Sequence, residues 1–464
     1  MSNIDFTKDF LEILQINDSF HSFVPFPFQE SSSCIKKEKD KNGVLTMFIN
    51  LKSSISDIAC PHCGAVDHHI SKGTRSISLK HFSFGSMPVV LIVHYHRFIC
   101  KHCSHYFAED IPFQFDNRKA TVPNVQSALF EFNENHSMAS ISRMHGLGKN
   151  TVYRIFADNI SVPHRFYHLS SVISIDEFKA TSDKGTYAFH IVNPLTGKTI
   201  DIIEDRRASS LRSYFLRFPF KQRKNVKIII MDLSAAFKSV MHALFPNAEI
   251  IADKFHYVKL IRSNLVQARL DTCDQMMNKS LAKSIKRQLH LFDKYQEDLD
   301  DKKVWYCHHL KKYFTCKSYI EYIFELEETQ EFYENYKIYQ NLLKILHKPY
   351  LDYKKELNNW LDYIFNTENK YYMTTAKNLR KNWFMPILRS LTYKAKYKRN
   401  GKYYYTSFNN GFIESMNNVV KLVKRNAHGF RYFDNLRKRI ILHLGYSYTF
   451  TFKERKKGIG YYKI

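Results

Sequence analysis

Between residues 171 and 270 the chain alternates apolar runs and helical periodicity in an order that few folds accept. "SVISIDEF" (171–178) reads as a short buried strand. "TYAFHIV" (186–192) and "KTIDIIED" (198–205) flank the turn "NPLTG" and predict a hairpin. "SSLRSYFLRF" (209–218) reads as a helix, "VKIIIMDLS" (226–234) as a buried strand and "AAFKSVMHALF" (235–245) as a helix. "AEIIAD" (248–253) reads as a further strand, and "KFHYVKLIRSNLVQARL" (254–270) as a further helix. Three meandering strands followed by crossover connections predict a mixed sheet with helices on both faces.

Two of these strands end on acids, Asp176 and Asp232, in a chain with 70 Lys and Arg against 44 Asp and Glu. The net charge of +26 suits a polyanion, because neutralised phosphates release counterions. The 30 Tyr and 37 Phe suit stacking on bases. If the first and fourth strands are neighbours, Asp176 and Asp232 converge. Adjacent like charges are costly unless a cation lies between them, and a divalent metal with oxygen ligands meets that need. A third acid stands in "NNGFIESMNNVVKLVKR" (409–425). As a helix, this stretch places Glu414, Asn417, Asn418, Lys421, Lys424 and Arg425 on one face and Ile413, Met416, Val420 and Val423 on another. The polar face then serves phosphate, the alternative being a solvated charged face. Glu177 reads as a solvated acid or one that supports the metal ligands. Asp253 and His256 either approach the metals, or Asp253 caps the helix beginning at Lys254. Asp183, Asp201, Glu204 and Asp205 read as surface charges of the hairpin.

Two C-x-x-C pairs, Cys60/Cys63 and Cys100/Cys103, supply four thiolates for a tetrahedral structural Zn²⁺. The strand-like "MPVVLIVHYHRFIC" (87–100) runs into the second pair, so a zinc ribbon with an extended hairpin fits. The alternatives are free thiols, or a ligand among His62, His68, His69 and His102. Cys34, Cys273, Cys307 and Cys316 lack ligand spacing and read as packed thiols. Farther on, "SMASISRMHGLGKNTVYRIFAD" (137–158) predicts two helices about a glycine turn. Ser142 is small at the helix approach, Gly146 permits a positive φ, and Val152 packs back. This is the spacing of DNA-binding helix-turn-helix units, in which Lys149, Asn150, Tyr153 and Arg154 would face DNA. A plain helical hairpin shares the packing rule.

The chain resembles, from end to end, the ISL3 family of bacterial insertion-sequence transposases. The cysteine ribbon, the helix-turn-helix pattern, "SIDEF", "MDLSAAF", "NAEIIADKFHYVKLI" and "GFIESMNNVVKLVKRNAHGFRYFDNLRKRIIL" carry the resemblance in family order. It implies an RNase H-like catalytic domain with a DDE triad at Asp176, Asp232 and Glu414, holding two Mg²⁺ (or Mn²⁺). It implies cleavage at terminal inverted repeats, strand transfer into target double-stranded DNA, and a homo-oligomer that pairs two ends. Where relatives often carry a Thr-Glu-Gly-like context, this chain has Ile413-Glu414-Ser415.

The expected organisation is multidomain α/β. An N-terminal segment (1–50) and a zinc ribbon (51–115) precede a helix-turn-helix domain (118–162). An RNase H-like core follows in two parts (170–262 and 405–450), interrupted by an all-helical insertion (263–404), and a basic tail (451–464) ends the chain. With neither a membrane span nor a signal peptide in view, the expected location is the cytoplasm, on the nucleoid when DNA-bound. Rival readings are a catalytically silent DNA-binding protein or repressor derived from a transposase, a metal-dependent nuclease without strand transfer, and a structural RNA-binding protein.

Overall fold

The computed structural model describes residues 6–16, 23–39, 43–54, 58–66, 69–116, 118–164, 166, 168–180, 184–399, 402–444 and 449–450. His68, Asp183 and the basic tail 451–464 lie outside the described residues. Two compact units emerge, one of residues 1–163 with 419–464 and one of residues 164–418.

The first unit opens with helix α1 (Phe6–Ile13) and a sheet of six strands. These are β1 (Phe23–Pro25), β2 (Ile35–Lys39), β3 (Leu45–Ser53), β4 (His69–Phe84), β5 (Met87–Cys100) and β6 (Tyr106–Ala108). β4 and β5 form the extended antiparallel hairpin expected of the ribbon, and β3 lies parallel to β5 on its other side. Period-two alternation on β5 sends Val89, Leu91 and Val93 into a core shared with Leu11, Leu14, Ile49, Leu51 and Leu79. Three helices follow, α2 (Val122–Phe130), α3 (Met138–Met144) and α4 (Lys149–Asn159), and then the short strand β7 (Ile160–Ser161).

The second unit is built on β8 (Val172–Lys179), β9 (Tyr187–Asn193), β10 (Lys198–Ile203), β11 (Ile228–Met231) and β12 (Glu249–Ala252), in the order β10-β9-β8-β11-β12. The β8–β9–β10 meander is antiparallel, and β8, β11 and β12 run parallel. The mixed sheet is the one the sequence predicts. Its helices are α5 (Ala208–Phe215), α6 (Phe220–Asn225), α7 (Ala235–Leu244) and the long α8 (Lys254–Gln275).

Residues 263–404 are not all helical. Helices α9 (Lys279–Arg287) and α10 (Leu289–Phe292) lead to an antiparallel hairpin of β13 (Trp305–Cys307) and β14 (Lys312–Phe314). Helices α11 (Cys316–Phe324), α12 (Gln330–His347), α13 (Tyr353–Asn366), α14 (Met373–Asn378) and α15 (Phe384–Thr392) follow, and β15 (Lys394–Arg399) pairs with β16 (Lys402–Ser407). The hairpin forms where Trp305, Tyr306, Tyr313 and Phe314 favour extended backbone, with Lys311 turning it at φ +50°. Nor is this region a separate globule. Its buried Tyr319, Phe332, Trp360 and Trp383 belong to the same apolar core as Ile173, Phe189 and Ile229 of the sheet. Arg389 donates to the Ile250 carbonyl at 3.3 Å, and the Tyr257 hydroxyl lies 3.2 Å from Ser390 Oγ.

The chain closes with α16 (Gly411–Asn426), α17 (Phe433–His443) and β17 (Thr449–Phe450). α17 docks against α2, α3 and α4. Leu442 joins the core of Val125, Leu129, Ile141 and Val152, and Arg437 donates to the Val162 carbonyl at 2.8 Å. β17 pairs with β7. Among the described residues no helix is long and apolar enough to cross a membrane.

Candidate active site and metal centre

Register decides which side chains meet on the sheet. Ile230 of β11 is paired with Ser174 of β8 and with Ile251 of β12. Two residues farther along come Asp176, still within β8, and Asp232 and Asp253, each the first residue past the end of its strand. Because side chains alternate, all three share a face and one row. On the other side of β8, His190 of β9 stands directly opposite Asp176.

The row is crowded and at least half-buried. Burial, then the charge of Asp232, pushes the Asp176 carboxyl up to about 6. Burial, then the charge of Asp253, pushes Asp232 up to about 7, with Glu414 adding to the repulsion. Asp253 is 1% exposed. It occupies the backbone N-cap position of α8, yet its side chain makes no capping hydrogen bond. Instead Oδ1 accepts the Asn410 N–H at 3.1 Å, and Oδ2 has no hydrogen-bond partner. His256, one turn into α8, places Nε2 3.0 Å from Asp232 Oδ1 and 3.8 Å from Asp253 Oδ2. Asp232, Asp253 and His256 thus present ligand atoms within 4.8 Å of one another. A buried orphan carboxylate oxygen among mutually repelling acids fits a hard divalent cation such as Mg²⁺ or Mn²⁺.

The entry to α16 closes over this row. Gly197 of the β9–β10 turn has φ +68°, and a Cβ there would meet the Phe412 ring at 2.9 Å, so a glycine lets the turn approach α16. Asn410 ties the strands together. Its Oδ1 accepts from Ser174 Oγ, and its Nδ2 points at the Ile175 carbonyl and Asp232 Oδ1, both at 3.4 Å. Glu414 is half-buried in the first turn of α16.

One expectation for α16 is corrected. Asn417, expected on an exposed phosphate-facing surface, is only 5% exposed and donates from Nδ2 to Asp176 Oδ2 at 2.7 Å. The helical wheel was right about the face, but that face is wide enough to meet both sheet and solvent. Asn418, Lys421 and Arg425 are exposed and Lys424 is half-buried. Two other acids read as surface charges are buried. Asp201, 2% exposed, accepts from Tyr214 Oη at 2.8 Å and pairs with His164, while Asp205, 3% exposed, accepts from Ser210 Oγ at 2.7 Å and pairs with Arg207. Glu204 pairs with Lys184 at 2.9 Å, and Glu177 pairs with Arg206.

In the first unit the four cysteines come together. Cys60 and Cys103 lie 3.6 Å apart through their sulfurs, as do Cys63 and Cys100. All four fall within 4.8 Å of one another, and among the described residues no histidine enters the cluster. Tetrahedral zinc with Zn–S bonds of about 2.3 Å requires sulfurs roughly 3.8 Å apart, which these thiols match. His69 Nε2 is instead 2.5 Å from the Ile58 carbonyl, and His62 stacks on His105.

In the helical segment, Gly146 turns the chain at φ +61° between α3 and α4, with Val152 buried. Ser142 serves the turn through a hydrogen bond, donating to the Leu147 carbonyl at 2.6 Å. Lys149, Asn150 and Arg154 are exposed, but Tyr153 is half-buried and its hydroxyl accepts from Asn435 at 3.1 Å.

A mixed sheet with a metal-compatible acidic row, joined in one chain to a four-cysteine ribbon, is an arrangement compatible with the transposase class. Comparison with known proteins agrees. The ISL3 DDE family model, described as "Transposase", matches residues 173–440, and the model described as the zinc-finger of transposase IS204/IS1001/IS1096/IS1165 matches residues 56–103. The chain is 22% identical over 393 residues to the Bordetella parapertussis "Transposase for insertion sequence element IS1001", covering 83% of this chain and 88% of that one. A Lactococcus lactis subsp. lactis protein named "ATP-dependent protease" shares 29% identity over 117 residues, only 25% of this chain and 32% of its own. The chain belongs to the ISL3 family of insertion-sequence transposases.

Proposed function

We propose that the protein binds the terminal inverted repeats of its element and catalyses divalent-metal-dependent cleavage and strand transfer of double-stranded DNA at a DDE site of RNase H-like type. The observation that carries this reading is the in-register row of Asp176 and Asp232, with Glu414 near enough to raise the Asp232 carboxyl. Asp176, Asp232 and Glu414 would hold the metals, with Asp253 and His256 beside them. Two bound Mg²⁺ or Mn²⁺ would supply an activated nucleophile and charge stabilisation at the leaving oxygen.

The chain's own groups do the rest. Asn410 and Asn417 hold the carboxylates in place. Lys421, Lys424, Arg425 and Asn418 supply phosphate contacts near the acid-bearing turn. The ribbon, with structural Zn²⁺ on Cys60, Cys63, Cys100 and Cys103, and a helix-turn-helix presenting Lys149, Asn150 and Arg154 would read the repeats. A homo-oligomer would pair two ends.

The test is a cleavage and joining assay on linear DNA bearing the element's ends, with Mg²⁺ or Mn²⁺, comparing the wild type with Asp232→Ala. Metal-dependent nicks and joined products that vanish in the variant are expected. Tight end binding without chemistry under either metal would overturn the catalytic reading in favour of a silent DNA-binding protein. Cutting without joining would leave only a nuclease.

A further inference from the structure

Behind Asp176 lies a file of buried polar side chains, of which the chemistry above uses Asn417 alone. Asn417 Nδ2 lies 2.7 Å from Asp176 Oδ2, and Asn417 Oδ1 lies 2.8 Å from His190 Nδ1. His190 Nε2 lies 2.8 Å from Thr199 Oγ1. Asn417 is 5%, His190 0% and Thr199 6% exposed. Three strands and one helix therefore contribute to a single hydrogen-bonded line.

Its direction follows link by link. An ionised carboxylate only accepts, so Asn417 must give Asp176 its amide N–H and turn its carbonyl to His190. That carbonyl only accepts, so Nδ1 of His190 must carry the proton. Burial lowers the imidazole to about 4, which keeps it neutral. A neutral ring with Nδ1–H has a bare Nε2, so the Thr199 hydroxyl donates there. Every N–H and O–H points towards Asp176. Its other oxygen, Oδ1, accepts the Glu177 backbone N–H at 2.7 Å. Each carboxylate oxygen thus has one fixed donor, and its remaining lone pairs are left for a ligand.

We infer that Thr199, His190 and Asn417 form a positioning relay that fixes the orientation of the Asp176 carboxylate for its cation. This rests on the reading of Asp176 as a metal ligand. Carboxylates and imidazoles behind metal ligands commonly set ligand orientation, and their loss costs about 10- to 100-fold in affinity or activity. The rival role for His190 is filling space, since it also meets the Phe178 ring edge-on at 6.0 Å between centroids. A filler would be indifferent to which end of the side chain bears the N–H.

The experiment uses that difference. Mn²⁺ binding to the full-length protein, followed by the electron paramagnetic resonance of the free ion, is compared for the wild type, Asp176→Ala, His190→Asn and His190→Gln, each checked by thermal melting. An asparagine amide can occupy the Nδ1 position, whereas a glutamine amide reaches the Nε2 position. The expected result is affinity within about threefold of wild type for H190N and a loss of about 10- to 100-fold for H190Q. Equal, wild-type affinity in both variants refutes the relay while leaving the metal site standing. Mn²⁺ binding unchanged by D176A sinks the underlying reading instead. Should the His190 variants fail to fold, ¹⁵N-imidazole spectra of the wild type decide: the Nδ1–H tautomer is required, and Nε2–H overturns the relay.

Discussion

The four cysteines and the acidic row gather ionisable side chains in opposite ways. Each cysteine pair sits in its own short turn, closed by a local backbone bond: Gly64 N–H to the Cys60 carbonyl and Ser104 N–H to the Cys100 carbonyl, both at 2.9 Å. One hairpin, β4–β5, then brings the two turns together. The acidic row has no local closure. Asp176 meets Asp232 only because β8 and β11 are neighbours, and it meets Asn417 across 241 residues of sequence. The first centre is set by motif and needs a soft metal to hold its thiolates; the second is set by tertiary register and keeps its acids under mutual repulsion.

The strongest way to break this contrast is to remove zinc. Chelation, or Cys100→Ser, should cost the ribbon on the order of 10 kcal/mol of local stability. Hydrogen exchange should accelerate at residues 98–108 and stay slow in β8, β9 and β11. Slow exchange at 98–108 in metal-free protein would show that the ribbon does not depend on its ligands. The converse holds for the row. Asp232→Ala should lower cleavage by more than about 100-fold, beyond what support residues usually contribute, without lowering the melting temperature, because a repelling charge is removed. A clear fall in melting temperature would mean that Asp232 stabilises the fold.

Asn410→Ala attacks register support rather than a ligand. It removes the side chain joining Ser174, the Ile175 carbonyl and Asp232, and should reduce cleavage by about 10- to 100-fold. Undiminished cleavage would show that the sheet alone aligns the acids. A smaller effect compares the two units. His81, in the first, and His190, in the second, are each lowered to about 4 by burial. Between pH 4 and 6.5 the unfolded chain binds protons that these native imidazoles do not, so stability rises with pH across that window. The slope should be about 1.4 kcal/mol per pH unit for each imidazole, and urea melts of His81→Gln should lose it in the first unit only. The smallest effect separates the two knuckles. Position four after the first cysteine has positive φ in both, +76° at Gly64 and +58° at Ser104. Ser104→Gly should raise stability by up to about 1 kcal/mol, read in thermal melts, and a decrease would assign Ser104 a side-chain role.

What was legible in the sequence tracks this same division. The knuckles and β5 could be read because spacing and alternation are local. The order of strands and helices from 171 to 270 could be read because apolar runs and punctuation are local too. The convergence of Asp176 and Asp232 needed one further step, the adjacency of β8 and β11. Asp253 joins the row only once β12 is known to lie beside β11, and before that its capping role looked equally good. Asn417 turned inward because the sheet, not the helical wheel, decides where a polar face ends. Asp201 and Asp205 found hydrogen-bond partners in Tyr214 and Ser210 of α5, which no spacing announces. The β13–β14 hairpin did leave a mark, its paired aromatic residues, inside a stretch otherwise rich in helix formers.

The shared row has an evolutionary corollary. Strand side chains obey parity: moving by one residue exchanges the two faces of a sheet. A single-codon insertion or deletion between 172 and 176 would send the Asp176 carboxylate to the opposite side from Asp232, Asn417 and the relay, even with every one of those residues retained. Length variation among active copies of such an element should therefore be absent upstream of Asp176 within β8, and tolerated in connections such as that between α9 and β13. A descendant can lose activity by one codon in that strand while its full set of acids survives intact in the reading frame.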